Sequence, residues 1–187
     1  MNQQLSQSSA SEFPEDARRT RALAWLAQAS AGHIRRFWWV WAAAIASLAT
    51  FNHFCALAIN GWTDSLPQKT FLILKQSRSF QRGDYVSFKW HGGGPYPKEL
   101  PFTKIIKGVP GDVVTVQGRE FLINGVPVAT AKEFSKKGQP LQLGPTGVIP
   151  PGHYFVWTPH KDSLDSRYAL TGWIKDAQVM GKAIPLQ

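Results

Sequence analysis

Residues 102–117 read FTKIIKGVPGDVVTVQ, and this stretch decides the fold class. It consists of two short runs rich in β-branched residues, separated by a Pro-Gly turn, which is the pattern of two β-strands. Further runs of the same kind lie on both sides of it: FLILK, DYVSFKW, EFLING, VPVA, HYFVW and ALTGWI. After Gly61 only residues 131–135 suggest a helical turn. The sequence therefore predicts an all-β domain over residues 60–187.

The overall composition is that of a folded protein with one domain. Of the 187 residues, 43% are hydrophobic and 18% are charged, which excludes a disordered chain. Cys55 is the only cysteine, so an internal disulfide and a multi-cysteine metal site are both excluded. The sequence has no H-E-x-x-H, Walker or G-x-G-x-x-G motif, and we expect no metal and no cofactor. The net charge of +9 suits nucleic acid, anionic lipid or a merely basic surface.

One long segment lacks formally charged side chains: residues 37–59, FWWVWAAAIASLATFNHFCALAI. At about 1.5 Å rise per residue, a helix of this length crosses a hydrocarbon core of about 30 Å. Its tryptophans, crowded at one end, resemble an interfacial belt. The sequence therefore predicts one transmembrane helix over residues 37–59. The alternative is a buried core helix of a soluble protein, because Asn52 and His53 are polar.

The charges around this segment predict its orientation. Five arginines precede it, and basic flanks stay in the cytoplasm. They are Arg18, Arg19, Arg21, Arg35 and Arg36. We therefore expect a cytoplasmic segment over residues 1–36 and an extracytoplasmic, periplasmic domain over residues 60–187, whose positive charge faces lipid headgroups rather than nucleic acid. Ala56-Leu57-Ala58 mimics a leader cleavage site, but the basic and apolar regions are both longer than those of a signal peptide.

Four short segments carry the candidate chemistry. They are TDSLP at 63–67, RGDYVSF at 82–88, KIIKGVPGD at 104–112 and DSLDSRY at 162–168. Each segment alone is an ordinary turn, strand or polar loop. Together and in this order they resemble the conserved boxes of the type I signal peptidases, which are membrane-anchored endopeptidases with a Ser/Lys dyad. The resemblance covers most of residues 60–175, and it implies an antiparallel β domain that follows one transmembrane helix.

The resemblance implies that Ser65 is the nucleophile and that Lys104 is the general base. A serine hydroxyl is a weak nucleophile until a base removes its proton. A lysine acts as that base only when burial moves its pKa from about 10.4 towards 7–8. The apolar neighbours of Lys104 in FTKIIK favour such burial. An exposed strand lysine is the alternative, and it is the interpretation that we give to Lys107.

Four more residues receive supporting roles from the same resemblance. Ser163 corresponds to the serine that positions the lysine, and Asp165 and Arg167 correspond to the residues that brace the site. Thr63 corresponds to the hydroxyl that completes the oxyanion hole with the backbone amide of the nucleophile. The other candidate bases in the domain are isolated histidines, for which structural or solvated positions are more common. They are His91, His153 and His160.

Two departures from the family pattern refine the resemblance. Ile105 stands where the family usually has arginine, and Leu66 stands where the housekeeping enzymes have methionine. The N-x-x-T-x-S-x-P arrangement that begins at Asn60 resembles instead the TraF-type branch, the conjugative-transfer peptidases that mature plasmid pilins. The implied partner is a precursor protein, with hydrolysis and cyclisation both open and the oligomeric state not indicated. The alternatives are a general leader peptidase and a non-catalytic, membrane-anchored component of a secretion or conjugation assembly.

Overall fold

The structure is a computed structural model that describes residues 15–59, 65–77 and 79–186. The chain divides into two compact units, residues 1–50 and residues 51–187. The first unit contains most of a helix, α1, which extends over Glu15–Phe54 and has a non-helical backbone at Phe37. The second unit contains the β-strands.

The described residues form eleven strands. They are β1 Cys55–Ile59, β2 Thr70–Leu74, β3 Tyr85–Lys89, β4 Pro101–Gly108, β5 Val113–Gln117, β6 Glu120–Ile123, β7 Val126–Thr130, β8 Gly147–Val148, β9 His153–Trp157, β10 Ile174–Lys175 and β11 Val179–Leu186. A 3₁₀ turn over Asp176–Gln178 precedes β11. Every pairing between these strands is antiparallel, so the prediction of a mainly β, antiparallel domain is confirmed.

The strands form two sheets. The larger sheet has seven strands in the order β1-β2-β11-β3-β4-β9-β10, and the smaller has four in the order β7-β6-β5-β8. Aromatic and branched side chains fill one core around Trp90, Phe88 and Ile106, and a second around Phe121 and Phe155. Because β4 and β9 are neighbours in the larger sheet, the strand that carries Lys104 lies beside the strand that leads into residues 158–168.

The predicted helix over residues 37–59 is wrong at its C-terminal end, because the helix stops at Phe54 and β1 begins at Cys55. The backbone N–H of Lys75 donates to the carbonyl of Phe54 at 2.9 Å, and β1 then pairs with β2 along its whole length. A run of five apolar residues is compatible with a strand as well as with a helix. Here the pairing with β2 at the edge of the sheet makes the run a strand. In the described part of the chain, no helix is both long enough and apolar enough to cross a membrane.

Strand β11 lies between β2 and β3 and joins the two halves of the larger sheet. Its pairing with β3 shifts register between Val179 and Gly181. A Cβ atom at Gly181 would lie 2.2 Å from the carbonyl oxygen of Leu74, which is shorter than any allowed contact. Only glycine therefore lets β11 approach β2 this closely.

Candidate active site

Lys104 lies in the middle of β4 with its side chain inside the domain. Along β4, Lys104, Ile106 and Gly108 are buried and alternate with more exposed residues, which is the period of a strand with one face towards a core. Only 5% of Lys104 is exposed to solvent. The amine lies 5.5 Å from the centre of the Phe102 ring, two residues earlier on the same strand. This burial agrees with what the apolar neighbours in FTKIIK predict.

The buried amine donates a hydrogen bond to another part of the chain. Lys104 Nζ donates to the hydroxyl oxygen of Ser163 at 2.8 Å. Burial lowers the pKa of Lys104 to about 8, while the charge of Asp165 acts to raise it and that of Arg167 acts to lower it. The structure thus brings together Lys104 and Ser163, and near neutral pH a fraction of the amine is unprotonated and able to accept a proton.

Asp165 and Arg167 form a buried ion pair behind Ser163. Arg167 Nε donates to Asp165 Oδ1 at 2.8 Å, and Nη2 donates to Oδ2 at 2.9 Å. The same guanidinium donates to the backbone carbonyls of Thr130 at 3.0 Å and His160 at 3.2 Å. Burial raises the pKa of Asp165, and the hydrogen bonds and charge of Arg167 act in the opposite direction. This bidentate pair fixes the loop that presents Ser163.

The backbone that follows Ser163 is held on both sides. Ser166 exchanges two bonds with Val156 of β9: its hydroxyl accepts the Val156 N–H at 2.9 Å, and its own N–H donates to the Val156 carbonyl at 3.0 Å. On the other side, the N–H of Gly144 donates to the carbonyl of Arg167 at 2.8 Å. A Cβ atom at Gly144 would lie 2.1 Å from the Ser166 carbonyl oxygen, so this crossing requires glycine.

Ser65 lies in a turn and is 7% exposed. Its neighbour Leu66 is buried in a small apolar cluster with Phe71 and Ala183, and Ile105 packs against the same cluster. Since Ile105 directly follows Lys104 in the chain, one cluster anchors the residues next to both members of the predicted dyad. Thr63 lies outside the described residues, as does Asn60.

Asp112, at the end of the KIIKGVPGD box, has a structural position in the turn between β4 and β5. Its carboxylate accepts the Val109 N–H at 2.8 Å, the Asn124 amide at 2.8 Å and Arg82 Nε at 3.0 Å. Burial acts to raise the pKa of Asp112, but these hydrogen bonds, first that of Arg82, outweigh it and lower the pKa. The Arg82–Asp112 pair therefore connects the second box of the sequence to the third.

The three isolated histidines contact backbone groups of loops. His91 Nε2 lies 2.8 Å from the Leu170 carbonyl, and His153 Nδ1 lies 3.0 Å from the Pro151 carbonyl. The ring of His160 accepts the N–H of Asp162 at 3.2 Å. Within residues 15–59, 65–77 and 79–186, no three His, Cys, Asp or Glu side chains are arranged to hold a metal ion.

Sequence reasoning missed two residues that hold the site, Thr130 and Gly144. Both contribute backbone atoms from segments far from the boxes in sequence, so no local pattern indicates them. The only available signal was the glycine in QLGPTG, which also suits an ordinary loop.

Comparisons with known proteins give one family and two individual similarities. Residues 31–186 match the family described as signal peptidase, peptidase S26. The conjugal transfer protein TraF of Agrobacterium fabrum (strain C58) is 33% identical over 88 residues, which are 46% of this chain and 48% of that relative. The chain thus spans about half the length of the curated relative that it matches. A crystal structure of a signal peptidase I from Enterococcus faecalis V583 has a TM-score of 0.38 and 24% identity, and the match covers 57% of this chain and 98% of that one.

Proposed function

The chain belongs to the signal peptidase family, peptidase S26, and from this premise we propose that it is an endopeptidase in which Ser65 is the nucleophile and Lys104 is the general base. The observation that carries the proposal is the buried amine of Lys104, which has a pKa of about 8 and a hydrogen bond to Ser163. A surface lysine has neither this burial nor this pKa. Burying a lysine that has no function would only cost folding free energy.

In the proposed reaction, Lys104 Nζ accepts the proton of the Ser65 hydroxyl while Ser65 Oγ attacks the carbonyl carbon of the scissile peptide. The oxyanion that forms accepts hydrogen bonds from the Ser65 N–H and, in our proposal, from the Thr63 hydroxyl. Collapse of this intermediate transfers the proton from Lys104 to the leaving amine and leaves an ester on Ser65. Lys104 then activates a water molecule, which releases the acid and restores the serine.

Ser163, Asp165 and Arg167 have positioning roles in this proposal. The Ser163 hydroxyl oxygen accepts one N–H of the amine and so directs the nitrogen lone pair. The Asp165–Arg167 pair holds the Ser163 loop, and its two charges act on the Lys104 pKa in opposite directions, while burial has the largest effect. A buried amine therefore keeps its depressed pKa beside a carboxylate.

The substrate that we propose is the precursor of a conjugative pilin. The support is the similarity to a conjugal transfer protein over about half of each chain, together with the N-x-x-T-x-S-x-P arrangement. An extended precursor segment would reach Ser65 by pairing with a strand of the domain. The ester on Ser65 is then resolved either by water or by an amine of the same precursor, and the second route closes a ring.

The test is cleavage of a candidate pilin precursor by the full-length chain in detergent. We expect the wild type to process the precursor and Ser65→Ala to leave it intact while keeping the circular dichroism of the folded protein. Mass spectrometry of the product distinguishes hydrolysis from cyclisation, because the two products differ by one water. Processing by Ser65→Ala at the wild-type rate would refute the assignment of the nucleophile.

We further propose that residues 37–54 attach the protein to the inner membrane, with residues 1–36 in the cytoplasm and the peptidase domain in the periplasm. Apolar side chains on this part of α1 are exposed, among them Trp38, Trp41 and Leu48. Basic residues precede them, and a basic flank favours the cytoplasmic side. Attachment on the exporting side would bring the peptidase to precursors as they leave the membrane.

A further inference from the structure

Asp162 directly precedes Ser163. Its carboxylate forms an ion pair with Lys132, which lies just after β7 of the smaller sheet. Lys132 Nζ lies 2.5 Å from Asp162 Oδ1, with the Asp162 side chain 13% exposed and that of Lys132 38% exposed. Lys136 reaches the other carboxylate oxygen at 3.5 Å, but its side chain is 71% exposed. The two lysines thus share one partner but differ in distance and burial.

Lys132 also makes a backbone contact with the same region. Its N–H donates to the hydroxyl oxygen of Tyr168 at 3.2 Å, and Thr130, two residues earlier, accepts a hydrogen bond from Arg167. The segment that ends β7 therefore contacts residues 162–168 at three points, one of them next to Ser163. Thr130 and Lys132, which supply one side of these contacts, lie outside the four boxes that the sequence indicates.

We infer that Lys132 is a positioning residue for the active site: through Asp162 it fixes the backbone that holds the Ser163 hydroxyl against the Lys104 amine. This inference rests on the proposed function of Lys104 as general base. The link is short in the chain, because Asp162 and Ser163 are consecutive, and Lys132 supplies the shorter of the two contacts that fix the Asp162 carboxylate.

The backbone around Ser163 has other support from Arg167, whose guanidinium donates to the carbonyls of His160 at 3.2 Å and Ser163 at 3.4 Å. The N–H groups of Asp162 and Ser163 both bond to His160, to its ring at 3.2 Å and to its carbonyl at 3.1 Å. These two bonds are internal to the loop, so they move with it. The bond between Lys132 and Asp162 instead connects the loop to the segment that follows β7, and its loss loosens the backbone at Asp162, directly before Ser163.

The charged groups around Lys104 and Asp162 indicate how the loss of Lys132 should change the pKa of Lys104. Asp165 and Arg167 act on Lys104, whereas Lys132 and Lys136 act on Asp162. The hydrogen bond from Lys132 lowers the pKa of Asp162, which is therefore charged at neutral pH. If the Ser163 loop loosens, water reaches the amine, and the pKa of Lys104 moves back towards its ordinary value of 10.5.

The test compares Lys132→Met with Lys136→Met in the full-length protein. The rate of precursor processing is measured for both from pH 6 to 10. For Lys132→Met we expect kcat at pH 7 to fall by roughly tenfold to a hundredfold with KM unchanged. Its acid limb should move to higher pH, so that much of the loss is recovered at pH 10. Lys136→Met should stay within about twofold of wild type, as an exposed pair contributes little. Lys132→Arg should restore most of the rate.

Asp162→Asn removes the same ion pair from the carboxylate side. If Lys132→Met does not fold, Asp162→Asn tests the inference in its place. We expect it to reproduce the shifted acid limb, and the double variant to be no slower than either single variant. An unshifted acid limb in Lys132→Met and Asp162→Asn, or equal effects of Lys132→Met and Lys136→Met, would overturn the inference. Ser65→Ala measured in parallel separates the two proposals: processing that does not depend on Ser65 refutes the dyad, whatever Lys132 does.

Discussion

At the scale of single residues, the proposed chemistry depends on a neutral amine at position 104 rather than on a positive charge. Lys104→Arg keeps the charge, but a guanidinium stays protonated at any physiological pH and cannot accept the proton of Ser65. We therefore expect Lys104→Arg to lose activity by roughly a hundredfold to ten-thousandfold, as much as Lys104→Ala. Precursor processing measures the effect, with Lys107→Arg as a control of near-normal rate. An active Lys104→Arg enzyme would rule out the dyad.

The same residue predicts the pH profile of the wild type. Protonated lysine is inactive as a base, so the rate should rise with pH along a single limb whose midpoint lies near the Lys104 pKa of about 8. Rates between pH 6 and 10 measure it. A limb near the ordinary lysine pKa of about 10.4 would show that the amine is not buried in the working enzyme.

Burial of Lys104 should also lower the free energy of unfolding, and the pKa of Lys104 gives the direction in which this effect changes with pH. The pKa of Lys104 is about 8 in the folded protein against an ordinary value of 10.5, so between these values the unfolded chain binds more protons and stability rises with pH. Below about pH 8 the cost is fully present. We expect Lys104→Met to raise the free energy of unfolding by up to about 3 kcal/mol at pH 7, and the gain to vanish above pH 10.5. Urea denaturation across this range measures both.

The sequence predicts the burial of Lys104, because its neighbours in FTKIIK are apolar and a strand has period two. It also predicts a role for Ser163 through the family resemblance. The sequence does not predict the roles of Thr130 and Lys132. These residues lie at and just after the end of β7 and contact Arg167 and Asp162. Such contacts are fixed by tertiary packing, and single residues in loops carry no periodic signal for them.

At the scale of elements, the crossing of residue 144 over the Ser166 backbone controls how the Ser163 loop is placed. Gly144→Ala puts a methyl group where only 2.1 Å separates it from a carbonyl oxygen, so the backbone must shift. We expect a loss of roughly 1–3 kcal/mol in the free energy of unfolding and a lower kcat. Gly32→Ala, where an added Cβ meets nothing within 4 Å, is the control. A Gly144→Ala protein as stable as wild type would contradict this close contact.

The strands were predictable where they are long and alternate, and less so elsewhere. The runs FTKIIK, VVTVQ and HYFVW correspond to β4, β5 and β9. In ALTGWI only the end is a strand, β10, and β8 is a pair of residues that no pattern distinguishes from a loop. The error at β1 has a physical cause: CALAI is apolar enough for a helix, and its pairing with β2 depends on a strand that comes later in the chain.

At the scale of the whole molecule, the proposed orientation predicts opposite outcomes for two fusions. A periplasm-dependent reporter such as an alkaline phosphatase, fused after Gln187, should be active, and the same reporter fused after Arg36 should be inactive. The reason is the arginine flank before residue 37, which favours the cytoplasm. Inactivity of the Gln187 fusion, with the fusion protein present at a normal level, would contradict a periplasmic peptidase domain.

The position of β11 between β2 and β3 has a consequence for when the enzyme becomes active. Ribosomes make β11 about 100 residues after β2, so the contacts that join the Ser65 side of the sheet to the Lys104 side have high contact order and form late. In a nascent chain that lacks β11, no strand pairing joins β2, which follows Ser65, to β3 and β4, the second of which carries Lys104. In the proposed mechanism proteolysis therefore requires the last strand, and we expect an unfinished chain to be inactive.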